Sequence, residues 1–202
     1  MATNRRLVTA ENSGKLYSTP RWATRALLER ETFDPRYVHE PCCGQGAISN
    51  VMEEYGYSVY SSDITTYDYV DQHEQSDFMN WTEDKMPIYN IVTNPPYSIA
   101  TDFTHRALKL ARNKVCLLLR LAFLEGVERY HTLFSKDEPS RVHVFSERVS
   151  MYPDGQEKDS GGTTAYGWFV WDRKAKARGT EIHWIEPGYK PKGRKNDNHK
   201  TE

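Results

Sequence analysis

A chain of 202 residues and 23.5 kDa holds one domain with at most a small appendage, and 38% hydrophobic residues supply one core. A mean hydropathy of −0.78 with 27% charged residues marks a water-facing surface, and no stretch reaches the roughly 18 apolar residues of a membrane span, so no membrane partner is expected. Three cysteines, two of them the neighbours Cys42 and Cys43, give neither a disulfide framework nor a zinc spacing, so no metal is expected, and the opening residues lack the apolar core of a secretory signal, which points to the cytoplasm. The net charge of −1 conceals basic ends, +4 over 1–30 and +4 over 172–202, around a middle at −9. Such a centre holds phosphates only through local patches.

In chain order, Thr19-Pro20 predicts a helix start with Thr19 as its cap, and RWATRALLER follows with Trp22, Ala26 and Leu27 on one face. A strand near Tyr37 to Pro41 leads through a glycine turn into a helix with Ile48, Val51, Met52 and Tyr55 at helical spacing. YSVYSSD reads as a second strand, Gln72 to Asp77 as a third and IYNIVT as a fourth that ends at Asn94. Phe103, Ala107, Leu110 and Ala111 mark a helix, VCLLLRLAF a buried central strand, and Val127, Tyr130, His131 and Phe134 a further helix. RVHVFSE, AYGWFVWDR and TEIHWIE are three closing strands. Alternating strands and helices predict an open, mostly parallel α/β sheet, whose ligands bind at the carboxyl ends of its strands. One domain is expected over 1–186, with a glycine-rich polar loop over 148–164 and a basic, mobile tail over 187–202.

The chemistry-bearing residues follow strands. Glu40-Pro41-Cys42-Cys43-Gly44-Gln45-Gly46 turns from the first strand into a helix, and its two glycines let backbone approach a ligand; the absent third glycine disfavours NAD. Asp63 ends the second strand, where a carboxylate can accept both hydroxyls of a ribose. Asp77 ends the third, where it can accept from an adenine amine while Phe78 covers the base. Glu40 is placed to face a cationic group. Each acid has an ordinary alternative as a turn or cap residue. The fourth strand runs into Asn94-Pro95-Pro96-Tyr97, a stiff segment rich in acceptors. The Asn94 side-chain oxygen and the Pro95 carbonyl can take the two hydrogens of an exocyclic amine while Tyr97 stacks on its ring; a capping Asn94 in a Pro-Pro turn is the other reading.

These segments resemble the S-adenosylmethionine-dependent amino-methyltransferases of DNA, specifically adenine-N6 enzymes of the gamma motif order in the small form common in bacteriophage genomes. The resemblance spans residues 17–97. It implies a Rossmann-like class I methyltransferase fold, a seven-stranded mixed sheet with helices on both faces. It also implies S-adenosylmethionine as cofactor, bound by an arm at Tyr17, Thr19 and Pro20, by Glu40, Pro41, Gly44 and Gly46, by Asp63 with Ile64, by Asp77 and Phe78, and by Asn94. Asn94, Pro95, Pro96 and Tyr97 become the catalytic segment. The partner implied is DNA, with single-stranded DNA and RNA left open. Other acceptors fit the same motif, namely cytosine-N4, RNA adenine or a protein glutamine, and a silent binding module is the rival of another class. Arg120 is placed to meet a phosphate or to pair with an acid such as Glu125. Trp168 is either core or the second face of a base sandwich.

Overall fold

The structure, a computed structural model, describes residues 16–151, 163–175 and 179–190. Most of the predicted 148–164 loop, most of the tail and the first half of the arm lie outside the described residues. Among the described residues eight strands form one sheet: β1 (Tyr37–Glu40), β2 (Ser58–Asp63), β3 (Glu74–Gln75), β4 (Ile88–Thr93), β5 (Ala111–Arg120), β6 (Arg141–Phe145), β7 (Tyr166–Asp172) and β8 (Glu181–Ile185). Their order is β3-β2-β1-β4-β5-β7-β6-β8. All neighbours are parallel except β7, which runs antiparallel to both β5 and β6. The chain therefore builds outward from β1 in one direction and from β4 in the other, and the crevice between their carboxyl ends is the switch point where such sheets bind ligands.

The seven strands implied by resemblance become eight. TEIHWIE, the last of the three closing strand candidates, adds β8 beyond β6, with Ile182 paired to Val142 and Trp184 to Val144. Among the described residues no helix is long and apolar enough to cross a membrane.

Alternation along the central strands divides the core in two. Cys116 and Leu118 of β5, with Trp168 and Val170 of β7, face α1 (Arg21–Leu28) and α2 (Ser49–Glu54), where Trp22, Ala26, Leu27, Val51 and Met52 pack. Val115, Leu117 and Leu119, with Phe169 and Trp171, face α3 (Ala100–Leu110) through Phe103, Ala107 and Leu110. Each fully buried Leu or Phe contributes about 1.5–3 kcal/mol from removal of apolar surface from water. Helix α3 passes into β5 with no residue between: Ala111 caps the helix with extended backbone (φ −77°, ψ 132°) and is already paired with Ile88.

Thr19 does not cap α1. The cap position is Pro20, without a side-chain bond, and the first turn closes through Ala23 N donating to Pro20 O at 2.9 Å. Thr19 is instead buried, with its hydroxyl turned toward Asn94. At the opposite end of the sheet from the strand carboxyl termini, Glu31 is buried in an ionic cluster. Arg141 donates to it from Nε (2.7 Å) and Nη2 (3.0 Å), and Lys114 Nζ (2.7 Å) and His143 Nε2 (2.9 Å) complete the shell. Asp172 takes a further bond from Arg141 at 2.9 Å. The cluster ties the end of α1 to β5, β6 and β7. Burial opposes ionisation of Glu31, but the bonds from His143, Arg141 and Lys114 outweigh it and hold the carboxyl far below its usual range.

Candidate active site

The glycine turn is shaped by close approach. Gly44 (φ +52°) and Gly46 (φ +76°) occupy left-handed backbone, and a Cβ on Gly44 would lie 2.5 Å from Leu16 Cδ1 of the arm, while one on Gly46 would enter the Tyr69 ring. Tyr69 is held there by its hydroxyl donating to Asn50 Oδ1 at 3.0 Å. The turn is pinned to β2 through Cys43 N donating to Ser62 O at 3.0 Å. Beneath it His39 is enclosed by Tyr60, Phe78 and Trp81 and bonds Ser62 Oγ at 2.8 Å. Burial and nearby Lys85 push its pKa down to about 3, so it stays neutral.

The strand-end acids differ in how much capacity they retain. Asp63 Oδ2 accepts from Gly44 N at 2.9 Å and Oδ1 from Thr65 N at 3.2 Å. The Ile64 N–H is a third backbone donor to the same carboxylate, so of its about four acceptor sites about one remains for a hydroxyl. Burial raises its pKa despite those backbone bonds. Ile64, beside it, is 58% exposed and offers an apolar face to a ring. Asp77 accepts from Met79 N at 2.9 Å and Asn80 Nδ2 at 3.1 Å, which also makes it the cap of the short turn Phe78–Asn80. Glu40 is 1% exposed, and its Oε2 takes the backbone N–H of Ser49 at 2.7 Å together with the Ser49 hydroxyl. It organises the first turn of α2, and burial drives its pKa well above the usual carboxylate value.

Asn94 follows β4 directly and is not a helix cap: the turn Tyr97–Ile99 is preceded by Pro96 with no side-chain cap bond, and α3 by Ile99. Pro95 is buried and Pro96 exposed. The Asn94 amide sits between three groups. Nδ2 donates to Thr19 Oγ1 (3.1 Å) and Met151 Sδ (3.4 Å), and Oδ1 accepts from the Tyr97 hydroxyl at 2.8 Å. The Tyr97 hydroxyl also lies 3.1 Å from Met151 Sδ. The Arg120 guanidinium stands 4.8 Å over the Tyr97 ring, and the Tyr166 ring is 5.8 Å away at 40°. Burial, with the neighbouring Tyr166, pushes the Tyr97 phenol well above its ordinary pKa against the pull of Arg120 and Asn94, so it remains a neutral donor.

Two expected ligand faces are core instead. Trp168 is 0% exposed, packed under α1, with its indole N–H donating to Ala23 O at 2.9 Å; it cannot form one side of a base sandwich. Phe78 is 3% exposed, its ring 4.8 Å from Phe103, and it backs the site from within rather than covering a base. The aromatic that β7 does bring to the site is Tyr166, which sequence reasoning passed over. Because β7 is antiparallel, its first residue stands at the carboxyl edge of the sheet, in register with Arg120. Tyr166 and Trp168 share one face of β7, so the signal was two residues away. Tyr17 and Pro20 flank Thr19, the former exposed and the latter buried; Pro41 is buried at the root of the glycine turn.

No protein-family model and no curated protein matches this sequence. Solved structures do. A modification subunit from Vibrio vulnificus YJ016, ascribed to a type I restriction enzyme, superposes with a TM-score of 0.61 at 16% identity over 92% of this chain. This chain spans only 49% of that one. A Lactococcus lactis protein provisionally named a hemolysin gives a TM-score of 0.56 at 13% identity, covering 83% of this chain and 93% of that one. A Pyrococcus horikoshii protein provisionally named an RNA methyltransferase gives 0.53 at 12% identity, covering 75% and 80%. The fold is thus Rossmann-like, that of class I methyltransferases, extended by one edge strand.

Proposed function

We propose that this protein transfers a methyl group from S-adenosylmethionine to the N6 amine of adenine in DNA. The observation that carries the reading is the Asn94 amide at the carboxyl end of β4, its oxygen facing the Tyr97 hydroxyl beside the Tyr97 ring and Arg120. The other half of the site fits the cofactor. Gly44 and Gly46 form the tight turn that follows β1, Asp63 keeps an acceptor site for a ribose hydroxyl, and Ile64 offers an apolar face. The cofactor supplies a methyl already activated on a sulfonium. Acid–base demands on the protein are therefore small, and rate comes from alignment and from acceptors for charge developing on nitrogen.

In this reading Asn94 Oδ1 and the Pro95 carbonyl accept the two amine hydrogens and turn the nitrogen lone pair toward the methyl carbon. The carbon–sulfur pair stays on sulfur, and the surplus proton leaves the nitrogen for solvent. Tyr97 stacks on the base. Arg120, half of a cation–π pair, stands where the adjoining phosphate would pass. A base in duplex must first be flipped out, at a cost of a few kcal/mol.

The test is incubation of the full chain with methyl-labelled S-adenosylmethionine and, in parallel, duplex DNA, single-stranded DNA, RNA and protein, followed by digestion and mass spectrometry. N6-methyl-2′-deoxyadenosine from the DNA is the expected product. N4-methylcytosine, methylated RNA alone or methylglutamine would move the acceptor, and cofactor binding without transfer to any of them would leave a silent module.

A further inference from the structure

Asn94 carries its donor and its acceptor on one planar amide, so the neighbour that takes the donor decides where the acceptor points. Here the donor goes to the arm. Nδ2 reaches Thr19 Oγ1 at 3.1 Å and Met151 Sδ at 3.4 Å, and a thioether sulfur accepts but never donates. A flipped amide would set its oxygen against that sulfur, so Met151 excludes the other orientation while the Thr19 hydroxyl, able to accept or donate, anchors this one. Thr19 is buried, and its hydroxyl is not spent on capping α1, which begins at Pro20 without a side-chain bond. Three residues earlier on the same segment, Leu16 closes over Gly44 at the turn that follows β1. One short piece of chain therefore touches both the glycine turn and the catalytic amide.

We propose that Thr19 is a positioning residue whose hydroxyl fixes the Asn94 amide with Oδ1 toward the target amine, so that seating of the arm on the glycine turn and readiness of the acceptor are set together. The proposal rests on the reading of Asn94 as the acceptor for an exocyclic amine. Thr19 touches neither the amine nor the methyl in this scheme. It acts through Asn94.

Two variants of the full chain separate the roles: Thr19→Val, which keeps the shape and loses the hydroxyl, and Thr19→Ser, which keeps the hydroxyl. The first readout needs no substrate. In isotope-labelled protein the side-chain amide protons of Asn94 are identified by their loss in Asn94→Asp, and the one directed at Thr19 should exchange with solvent at least about tenfold faster in Thr19→Val than in wild type, and at the wild-type rate in Thr19→Ser, because Oγ1 is its acceptor while Met151 Sδ serves the other. The second readout is catalytic. In Thr19→Val, kcat at saturating S-adenosylmethionine should fall on the order of 10- to 100-fold, well beyond any loss of calorimetric affinity for the cofactor, and Thr19→Ser should recover most of the rate. If the valine variant does not fold, Thr19→Ala takes its place. Unchanged exchange in Thr19→Val, an unchanged kcat, or a kcat that falls only in step with cofactor affinity overturns the proposal. If wild type methylates no amine at all, the reading of the reaction fails, and the exchange measurement still decides whether Thr19 holds the amide.

Discussion

The Tyr97 phenol donates to Asn94 Oδ1 at 2.8 Å, so the acceptor assigned to the target amine is filled by the side chain assigned to stack on the target ring. An incoming amine exchanges one hydrogen bond for another, at small net cost. Asn94→Ala should abolish most methyl transfer yet leave cofactor affinity within a small factor, because the amide meets the amine. Tyr97→Ala should weaken both turnover and base binding. Tyr97→Phe should be milder, since the ring survives and Oδ1 is freed. Steady-state kinetics beside calorimetry checks the set, and near-normal turnover by Asn94→Ala on every nucleic acid tried would refute the assignment.

Asp63 and Asp77 each keep acceptor capacity after their local bonds are counted. Replacing either with alanine should weaken S-adenosylmethionine binding by about 1–3 kcal/mol, the cost of leaving polar groups unpaired. Asp63→Ala also strands the Gly44 N–H, so it should lower the unfolding midpoint, while Asp63→Asn should spare more of it. Wild-type affinity in both alanine variants would remove these acids from the cofactor site.

Glu31 makes a prediction about stability alone. Glu31→Gln leaves Arg141 and Lys114 with too little negative charge around them and should cost about 3 kcal/mol. The folded-state pKa of Glu31 is depressed, so its contribution is fully present above the unfolded value of 4.5 and is lost as pH falls below it. Urea unfolding from pH 6 to pH 3 should show a flatter decline for Glu31→Gln than for wild type.

Glu40 has the opposite sign. Its folded pKa is raised by burial, so wild type loses stability as pH rises through that value, and the loss is absent below 4.5. Glu40→Gln can still accept the Ser49 N–H and carries no buried charge. Its unfolding midpoint should therefore exceed that of wild type at pH 8 and converge with it near pH 4. Weaker cofactor binding by the same variant would show that the carboxylate also serves a ligand.

Local signals were the legible ones. The glycine turn, the strand-end acids and the segment from Asn94 to Tyr97 announce themselves because each is a short run whose chemistry depends on its neighbours in sequence, and the structure sets them around one crevice. What the sequence hid depends on which face a strand turns inward. Trp168 and Tyr166 lie on the same face of β7, and only the covering helix α1 decides that the first is sealed while the second reaches Tyr97. Thr19 looked like a cap because Thr before Pro usually is one, and its bond to Asn94 joins residues 75 positions apart. The eighth strand was already among the strand candidates as TEIHWIE, and only the seven strands implied by resemblance argued against it.

The joint between Leu110 and Ala111 has a consequence for any attempt to cut or lengthen this chain. With no spacer, helix α3 feeds β5 directly, and the pairing of β5 with β4 already slips by one residue between Ala111 and Lys114. One inserted residue that this irregularity did not absorb would exchange the faces of the strand, sending Val115, Leu117 and Leu119 toward α1 and α2, and Cys116 and Leu118 toward α3. Arg120 would turn away with them, on the far side of the sheet from Tyr97. A reporter or split point placed there would thus scramble both cores and unseat a cation from the site some ten residues downstream, at about 3.3 Å per strand residue.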